Sequence, residues 1–114
     1  MNLNEYQTEA SMFAVNDDLL HFTFGLLEEA GEAAGVLKRV YRGDDGYEDF
    51  NWSDYGLSEE AEKKLAAELG DILWHVAVIA DHLGVSLNAI AESNLAKLQS
   101  RKQRDMIKGS GDNR

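Results

Sequence analysis

The fold is decided by one stretch of the chain, residues 58–84, which reads SEEAEKKLAAELGDILWHVAVIADHLG. Ser58 suits the N-terminal cap of a helix, the glutamates that follow favour the positive end of its dipole, and Gly84 suits the position after a helix ends. The helix should run to about Leu83, which makes a rod of roughly 38 Å. From Ile72 to Ile79 it is apolar on nearly every side, which indicates a helix that several neighbours cover.

Three further blocks of apolar residues have helical spacing. They predict helices over about 3–15, about 19–41 and about 87–106. An Asn-Asp-Asp turn at residues 16–18 supplies an acidic cap for the second helix, Gly43 can end it, and Ser86 suits the cap of the last one. The chain has no proline to interrupt these helices. The sequence therefore predicts an all-α fold, a small antiparallel bundle of four main helices.

With 114 residues and a mass of 12.7 kDa, the chain has room for one domain, 1–114. Residues 43–57 read as an inserted loop rich in aromatic side chains, and residues 107–114 read as a flexible tail. A helix that is apolar on most sides is hard to cover with three short neighbours. We therefore expect a homo-oligomer, either a homodimer or a dimer of dimers, that is, a homotetramer.

The composition excludes several classes of protein. Acidic residues outnumber basic ones by 21 to 11, for a net charge of −10, and such a surface repels duplex nucleic acid. A nucleotide substrate stays compatible with this charge, because bound divalent cations invert the local field. The absence of cysteine excludes a disulfide scaffold and a thiolate zinc site. The polar N-terminus and the short apolar stretches predict a cytoplasmic protein with no membrane partner.

Two acidic strings carry the chemistry: Glu28-Glu29-Ala30-Gly31-Glu32 in the second helix, and Glu68-Leu69-Gly70-Asp71 in the third. In each string, two acids three residues apart share one helix face and bracket a glycine. A glycine in a helix interior costs about 1 kcal/mol, but it lets a backbone or a ligand come close. Since a reversal joins the two helices, they can pack antiparallel and direct four carboxylates into one cleft.

Four carboxylates beside an apolar run are costly to bury unless something neutralises them. Hard divalent cations with oxygen ligands do so, and magnesium or manganese fits carboxylates better than zinc does. For any single glutamate, a solvated helix face is the ordinary explanation. Two glycine-bracketed pairs together favour a metal site, whose candidate ligands are Glu29, Glu32, Glu68 and Asp71.

The two strings resemble the EExxE…ExxD signature of MazG-like nucleotide pyrophosphohydrolases, a family of the all-α NTP pyrophosphatase superfamily that also includes dimeric dUTPases. The resemblance continues to the end of the chain. Residues 94–101 resemble an N-x-x-K-L-x-x-R pattern, and residues 109–114 resemble the G-x-G-D-x-R ending of some members. The gap between the two strings is longer than in compact members, because residues 43–57 are inserted, and that gap carries substrate-side variation in such folds.

The resemblance implies Mg²⁺-dependent cleavage of a nucleoside triphosphate to the monophosphate and pyrophosphate, as nucleotide-pool house-cleaning, with Mn²⁺ as a substitute metal. By the same resemblance, the four candidate ligands would hold the metal ions. Glu28 would be the catalytic outer carboxylate that orients or deprotonates the attacking water.

Basic and polar residues of the last helix are candidates for substrate binding. Lys97 and Arg101 lie four residues apart on one face, with Asn94 one turn earlier, and they could contact phosphates. Lys38, near the end of the second helix, is a weaker candidate. For all the cations, attraction to the negative end of a helix dipole is the competing explanation.

Two side chains near the acids favour the core over the site. Trp74 lies one turn past Asp71 and could flank a nucleobase, but on so apolar a helix a core tryptophan is the better interpretation. His75 lies four residues after Asp71, and we expect it to be a core histidine with a satisfied hydrogen bond rather than a metal ligand.

Three alternatives stay open at this point. A di-iron or di-manganese bundle is disfavoured, because such bundles place histidine three residues after a ligand glutamate, and Glu32 and Asp71 stand there instead. Hydrolysis of another pyrophosphate-linked nucleotide, of the phosphoribosyl-ATP or alarmone type, uses the same acids. A non-catalytic bundle that only binds metal and nucleotide would not need Glu28.

Overall fold

The computed structural model describes residues 1–44 and 57–113. Within these ranges the chain forms four helices and no strand. The helices are α1 (Leu3–Ser11), α2 (Leu19–Arg42), α3 (Glu59–His82) and α4 (Leu87–Gln103). The all-α class and the four main helices predicted from the sequence are confirmed. Most of the predicted inserted loop lies outside the described residues, and no single described helix is long and apolar enough to span a membrane.

The predicted caps define most helix ends. Asp18 Oδ1 accepts hydrogen bonds from the backbone N–H groups two and three residues on, at 3.0 and 3.3 Å, and so begins α2. Gly43 ends α2 with a left-handed φ of 72°. Ser58 and Ser86 each accept a hydrogen bond from the N–H three residues on, at 3.2 and 3.0 Å, and begin α3 and α4.

Two helices are shorter than the sequence predicts. α1 ends at Ser11 rather than near Val15, because the next three N–H groups bond to carbonyls three residues back, which is the tighter turn of a frayed helix end. α4 ends at Gln103 rather than near Met106. There Asp105 has a left-handed φ of 56°, and the next N–H bonds to the carbonyl five residues back at 2.7 Å.

The centre of the fold is the pair formed by α2 and α3. Near the start of α2, the ring of Phe22 packs edge to face against Trp74 in the second half of α3, with centroids 6.4 Å apart. Later in α2, Glu32 reaches Glu68 in the first half of α3. Residue numbers therefore rise along one helix as they fall along the other, which is the predicted antiparallel arrangement.

α1 ties the end of α3 to the start of α4. Trp74 donates its indole N–H to the carbonyl of Ala10 at 3.0 Å. The buried Gln7 donates to the carbonyl of Val85 at 2.9 Å and accepts from the N–H of Leu87 at 2.8 Å. Trp74 therefore packs in the core, as the sequence favours.

α4 does not lie beside α2. It leaves α3 at an angle of 104° and packs only on α1 and α3 among the described residues. The turn between α3 and α4 is tight, with Gly84 at a left-handed φ of 69°. Within one chain, α4 therefore does not complete a side-by-side bundle with α2, although the predicted helices are present.

This arrangement leaves large apolar side chains in solvent. Leu20, Phe24 and Leu27 are 66%, 65% and 71% exposed, and their spacing places them on one stripe of α2. Leu73, inside the apolar run of α3, is 40% exposed. In the part of the chain that the structure describes, the apolar run of α3 is therefore covered only in part.

Candidate metal centre

The middle of the α2–α3 pair brings acids from both helices together. α2 contributes Glu29, and α3 contributes Glu68 and Asp71, which share a face of that helix. One carboxylate oxygen from each of the three lies within 4.8 Å of the others. Glu29 and Glu68 are half-buried, whereas Asp71 is exposed. The antiparallel pairing thus gathers three of the four predicted ligands into one cluster, which we call the acidic centre.

The fourth predicted ligand, Glu32, adjoins the acidic centre. Its negative charge acts on both Glu68 and Glu29. Glu32 is exposed, so it stands at the solvent side of the centre. All four predicted ligands are therefore neighbours in the structure.

The acidic centre is electrostatically strained. Loss of water contact, followed by the negative charge of Glu32, raises the pKa of Glu29 above its ordinary value. The same two causes raise the pKa of Glu68. Like charges and burial both disfavour the ionised form. A bound cation would remove that penalty.

Two oxygens of the acidic centre also lack hydrogen-bond donors. Glu29 Oε2 and Glu68 Oε2 are shielded from solvent, and neither accepts a hydrogen bond in the part of the chain that the structure describes. A buried carboxylate oxygen with no partner is costly, and carboxylate oxygens are the ligands that hard divalent cations prefer. The donor set therefore fits Mg²⁺ or Mn²⁺.

Comparison with known proteins places this chain in a family. Residues 19–105 match the MazG nucleotide pyrophosphohydrolase domain. The chain belongs to the MazG family. Gene 37 protein of Mycobacterium phage L5 is 40% identical over 123 aligned residues that cover 100% of both chains. Uncharacterized protein YvdC of Bacillus subtilis strain 168 is 36% identical over 78 residues, which cover 67% of this chain and 68% of that protein. The search of solved structures found no match.

The glycines between the acids of this MazG domain face open space. A β-carbon at Gly31 or Gly70 would have no other group within 4 Å, apart from its own helix backbone and chain neighbours. The close approach of a second backbone, one of the two reasons given for these glycines, is therefore not present within the described chain. The other reason, access for a ligand, is compatible with the open space.

The remaining α2 candidates lie outside the acidic centre. Glu28, the predicted catalytic carboxylate, is exposed and directly precedes Glu29. Lys38 is also exposed, six residues after Glu32 on the same helix. Their roles stay predictions.

The α4 candidates of the MazG domain bind the tail of their own chain. Lys97 Nζ donates to Asp112 Oδ1 at 2.9 Å, and Arg101 Nη2 donates to the backbone carbonyl of Asp112 at 2.9 Å. Arg101 is only 5% exposed. The hydrogen bond and charge of Lys97 lower the pKa of Asp112. The mobility predicted for the tail stays a prediction, but Asp112 has defined partners.

Asn94 and Lys97 line a groove of about 340 Å³ along α4. The groove contains no residue of the acidic centre, and α4 makes no contact with α2 in the described ranges. The structure of one chain thus gathers the predicted metal ligands and does not gather the predicted substrate-binding residues around them.

Two residues gain importance from the structure. His75 donates its Nδ1–H to the backbone carbonyl of Asp71 at 2.8 Å, so it is a satisfied histidine, as expected. Its position beside the acidic centre, where its charge lowers the pKa of Glu29, is new. Sequence reasoning does not single out Gly25, whose backbone lies under the His75 ring. The available signal was its place one turn before Glu29.

Proposed function

We propose that this protein is a Mg²⁺-dependent nucleoside triphosphate pyrophosphohydrolase, which converts a (d)NTP and water to the (d)NMP and pyrophosphate. Membership of the MazG family implies a nucleotide pyrophosphohydrolase. The observation that carries the finer proposal is the acidic centre, with its two shielded oxygens that have no donor. A site that needs positive charge suits a substrate that arrives with a divalent cation.

Glu29, Glu68 and Asp71 would hold the metal, with Glu32 beside them. When bound, a divalent ion there neutralises the triphosphate and lowers the pKa of a water molecule. The contribution of the chain is to keep these carboxylates close together before the ion arrives. The closeness of these charges is one cause of the raised pKa of Glu29 and of Glu68.

Glu28 is the proposed general base. Its side chain is exposed, and it directly precedes Glu29 on α2, so its carboxylate is next in the chain to a proposed metal ligand. A carboxylate in that position can orient the attacking water or accept its proton.

Lys38, Asn94, Lys97 and Arg101 are proposed to bind the substrate. Within the chain, the carboxylate of Asp112 forms ion pairs with both Lys97 and Arg101. A phosphate group that binds these cations would therefore have to displace the Asp112 carboxylate or share its donors.

Self-association, as a dimer or a dimer of dimers, is part of the proposal. The exposed stripe of Leu20, Phe24 and Leu27 supports it, because contiguous apolar surface of this kind is typical of contacts between chains. Nucleotide-pool house-cleaning in the cytoplasm is the proposed setting.

The first test is a screen for pyrophosphate release from the common NTPs and dNTPs, with Mg²⁺, with Mn²⁺ and with EDTA. We expect metal-dependent release of pyrophosphate and monophosphate. Silence across the panel would contradict the proposal and favour a phosphoribosyl-ATP or alarmone substrate, or a binding role.

Variants of the acidic centre make the test specific. Glu68→Gln should abolish turnover and keep the helical circular dichroism signal, because it removes a ligand charge without changing the side-chain volume. Glu62→Gln, at an exposed position of the same helix, is the matched control and should retain activity. Retained turnover in Glu68→Gln would refute the metal assignment.

Glu28→Gln tests the general base. We expect kcat to fall while the affinity for the metal ion stays near the wild-type value, because Glu28 lies outside the acidic centre. An unchanged kcat would remove Glu28 from the mechanism.

A further inference from the structure

Of the three glycines in α2, Gly25 is the one whose nearest neighbour is a side chain of α3. A β-carbon placed there would overlap Nε2 of His75 and would lie 2.7 Å from Cδ2 of the same ring. By contrast, a β-carbon at Gly31 would have open space, and the nearest atoms to one at Gly35 belong to the guanidinium group of Arg39 on the same helix. The imidazole of His75 therefore lies directly on the α2 backbone at Gly25.

This contact lies one helical turn from the acidic centre on both helices. Gly25 precedes Glu29 by four residues on α2, and His75 follows Asp71 by four residues on α3. Four residues are about one turn of a helix, roughly 5.4 Å along its axis. Since the helices are antiparallel, Gly25 faces His75 at one level and Glu29 faces Asp71 at the next.

The His75 ring is held in place by two other contacts. Its Nδ1–H donates to the carbonyl of Asp71 at 2.8 Å. Its ring packs edge to face against Trp74, with centroids 4.9 Å apart, and Trp74 is itself fixed by the hydrogen bond to Ala10. The ring cannot turn aside without breaking these contacts, so a larger residue at position 25 would displace the α2 backbone instead.

We infer that Gly25 and His75 are positioning residues for the metal centre: the imidazole acts as a spacer that sets the distance at which Glu29 of α2 meets Asp71 of α3. This inference rests on the metal centre of the proposed function. Mg²⁺ requires short bonds and near-octahedral geometry, whereas Ca²⁺ accepts longer bonds and irregular coordination. A spacer that sets the width of the acidic centre therefore sets which ion fits it.

The experiment is calorimetric titration of EDTA-treated protein with Mg²⁺ alone and with Ca²⁺ alone, without nucleotide. In Gly25→Ala the helices are forced apart at the spacer. We expect the affinity for Mg²⁺ to fall by about tenfold or more, as for other changes to groups that orient metal ligands. The affinity for Ca²⁺ should fall less, so the Mg²⁺/Ca²⁺ ratio decreases. Gly35→Ala is the control. Its methyl group would meet the flexible guanidinium end of Arg39 on its own helix, and the variant should leave that ratio unchanged.

The double variant Gly25→Ala/His75→Ala distinguishes an effect on the distance between the helices from a general loss of structure. Removal of the ring makes room for the new methyl group, so the double variant should bind Mg²⁺ more tightly than Gly25→Ala does. A Gly25→Ala protein with wild-type affinity for Mg²⁺ would overturn the inference. So would a double variant that binds no better than Gly25→Ala.

If circular dichroism shows that Gly25→Ala does not fold, His75→Ala provides the test. Loss of the spacer lets α2 and α3 come closer, and a narrower centre favours the ion with the shorter bonds, so the Mg²⁺/Ca²⁺ ratio should rise. An unchanged or lower ratio overturns the inference. A wild-type protein that binds neither ion refutes the metal centre and the spacer together. A wild-type protein that binds both ions but releases no pyrophosphate refutes only the proposed reaction, and the titrations still decide the role of the spacer.

Discussion

Gln7 offers a sharp test of how the helices are held together. Its side-chain amide is buried between α1 and the α3–α4 turn, where it donates to the carbonyl of Val85 and accepts from the N–H of Leu87. The perturbation is Gln7→Met, which keeps the length and approximate volume of the side chain and removes both hydrogen bonds. Because the volume is conserved, the cost of a cavity is small.

The expected loss follows from the two backbone groups that are left behind. The N–H of Leu87 belongs to a residue that is 4% exposed, and a buried donor without a partner costs about 1–3 kcal/mol. The carbonyl of Val85 is closer to water, which can replace the amide, so its lost hydrogen bond costs about 0.5–1.5 kcal/mol. The free energy of unfolding should therefore decrease by roughly 2–4 kcal/mol.

The assay is urea unfolding followed by circular dichroism at one fixed protein concentration, since association also contributes to stability. Asn4→Ala is the matched control. Asn4 Oδ1 accepts from the N–H of Asn88 at 3.0 Å, which is the same kind of bond from α1 to α4 but exposed to solvent. Asn4→Ala should lower the free energy of unfolding by less than about 1 kcal/mol. The reasoning is refuted if Gln7→Met lies within about 0.5 kcal/mol of wild type, or if the two variants lose equal stability.

Two further predictions concern charge and assembly. Without metal, the free energy of unfolding should increase as the pH is lowered from about 7.5 towards about 5, because groups with a raised pKa, Glu29 and Glu68, bind more protons in the folded than in the unfolded state. Urea titrations in EDTA should show a smaller increase for Glu68→Gln, and an equal increase would contradict the assignment. Light scattering at micromolar concentration should give at least twice the chain mass of 12.7 kDa. A monomer would refute the argument from exposed apolar surface.

Local sequence signals predicted the helices and the acidic centre well. Caps are chemistry between neighbours in the chain, so Asp18, Ser58 and Ser86 could be identified without tertiary information. The sequence also predicted that Glu29 and Glu68 lie close together. Each stands on an acidic helix face, and a reversal between the two helices lets them pack antiparallel with these faces in contact.

The direction of α4 could not be predicted in this way. Periodicity indicates which face of a helix is apolar, but not which neighbour that face meets. The angle of α4 depends on the turn at Gly84 and on the long-range hydrogen bonds of Gln7. No local sequence pattern predicts those hydrogen bonds. The hydrogen bonds of Lys97 and Arg101 to Asp112 were not predicted either, because they depend on the conformation of the tail.

The N-terminal boundary of the family match differs from the N-terminal boundary of the packed helices, because α1 lies outside the match. The family match begins at Leu19, yet the contacts that join α3 to α4 come in part from α1, which begins earlier and is capped by Asn2. A chain shortened to the matched residues would keep every acid of the centre. It would also leave the indole N–H of Trp74 and the first N–H of α4 without their protein acceptors, and it would uncover the apolar surface of α3 beneath Ala10. The part of this protein that carries the acids of the centre is therefore smaller than the part whose contacts hold α3 and α4 in place.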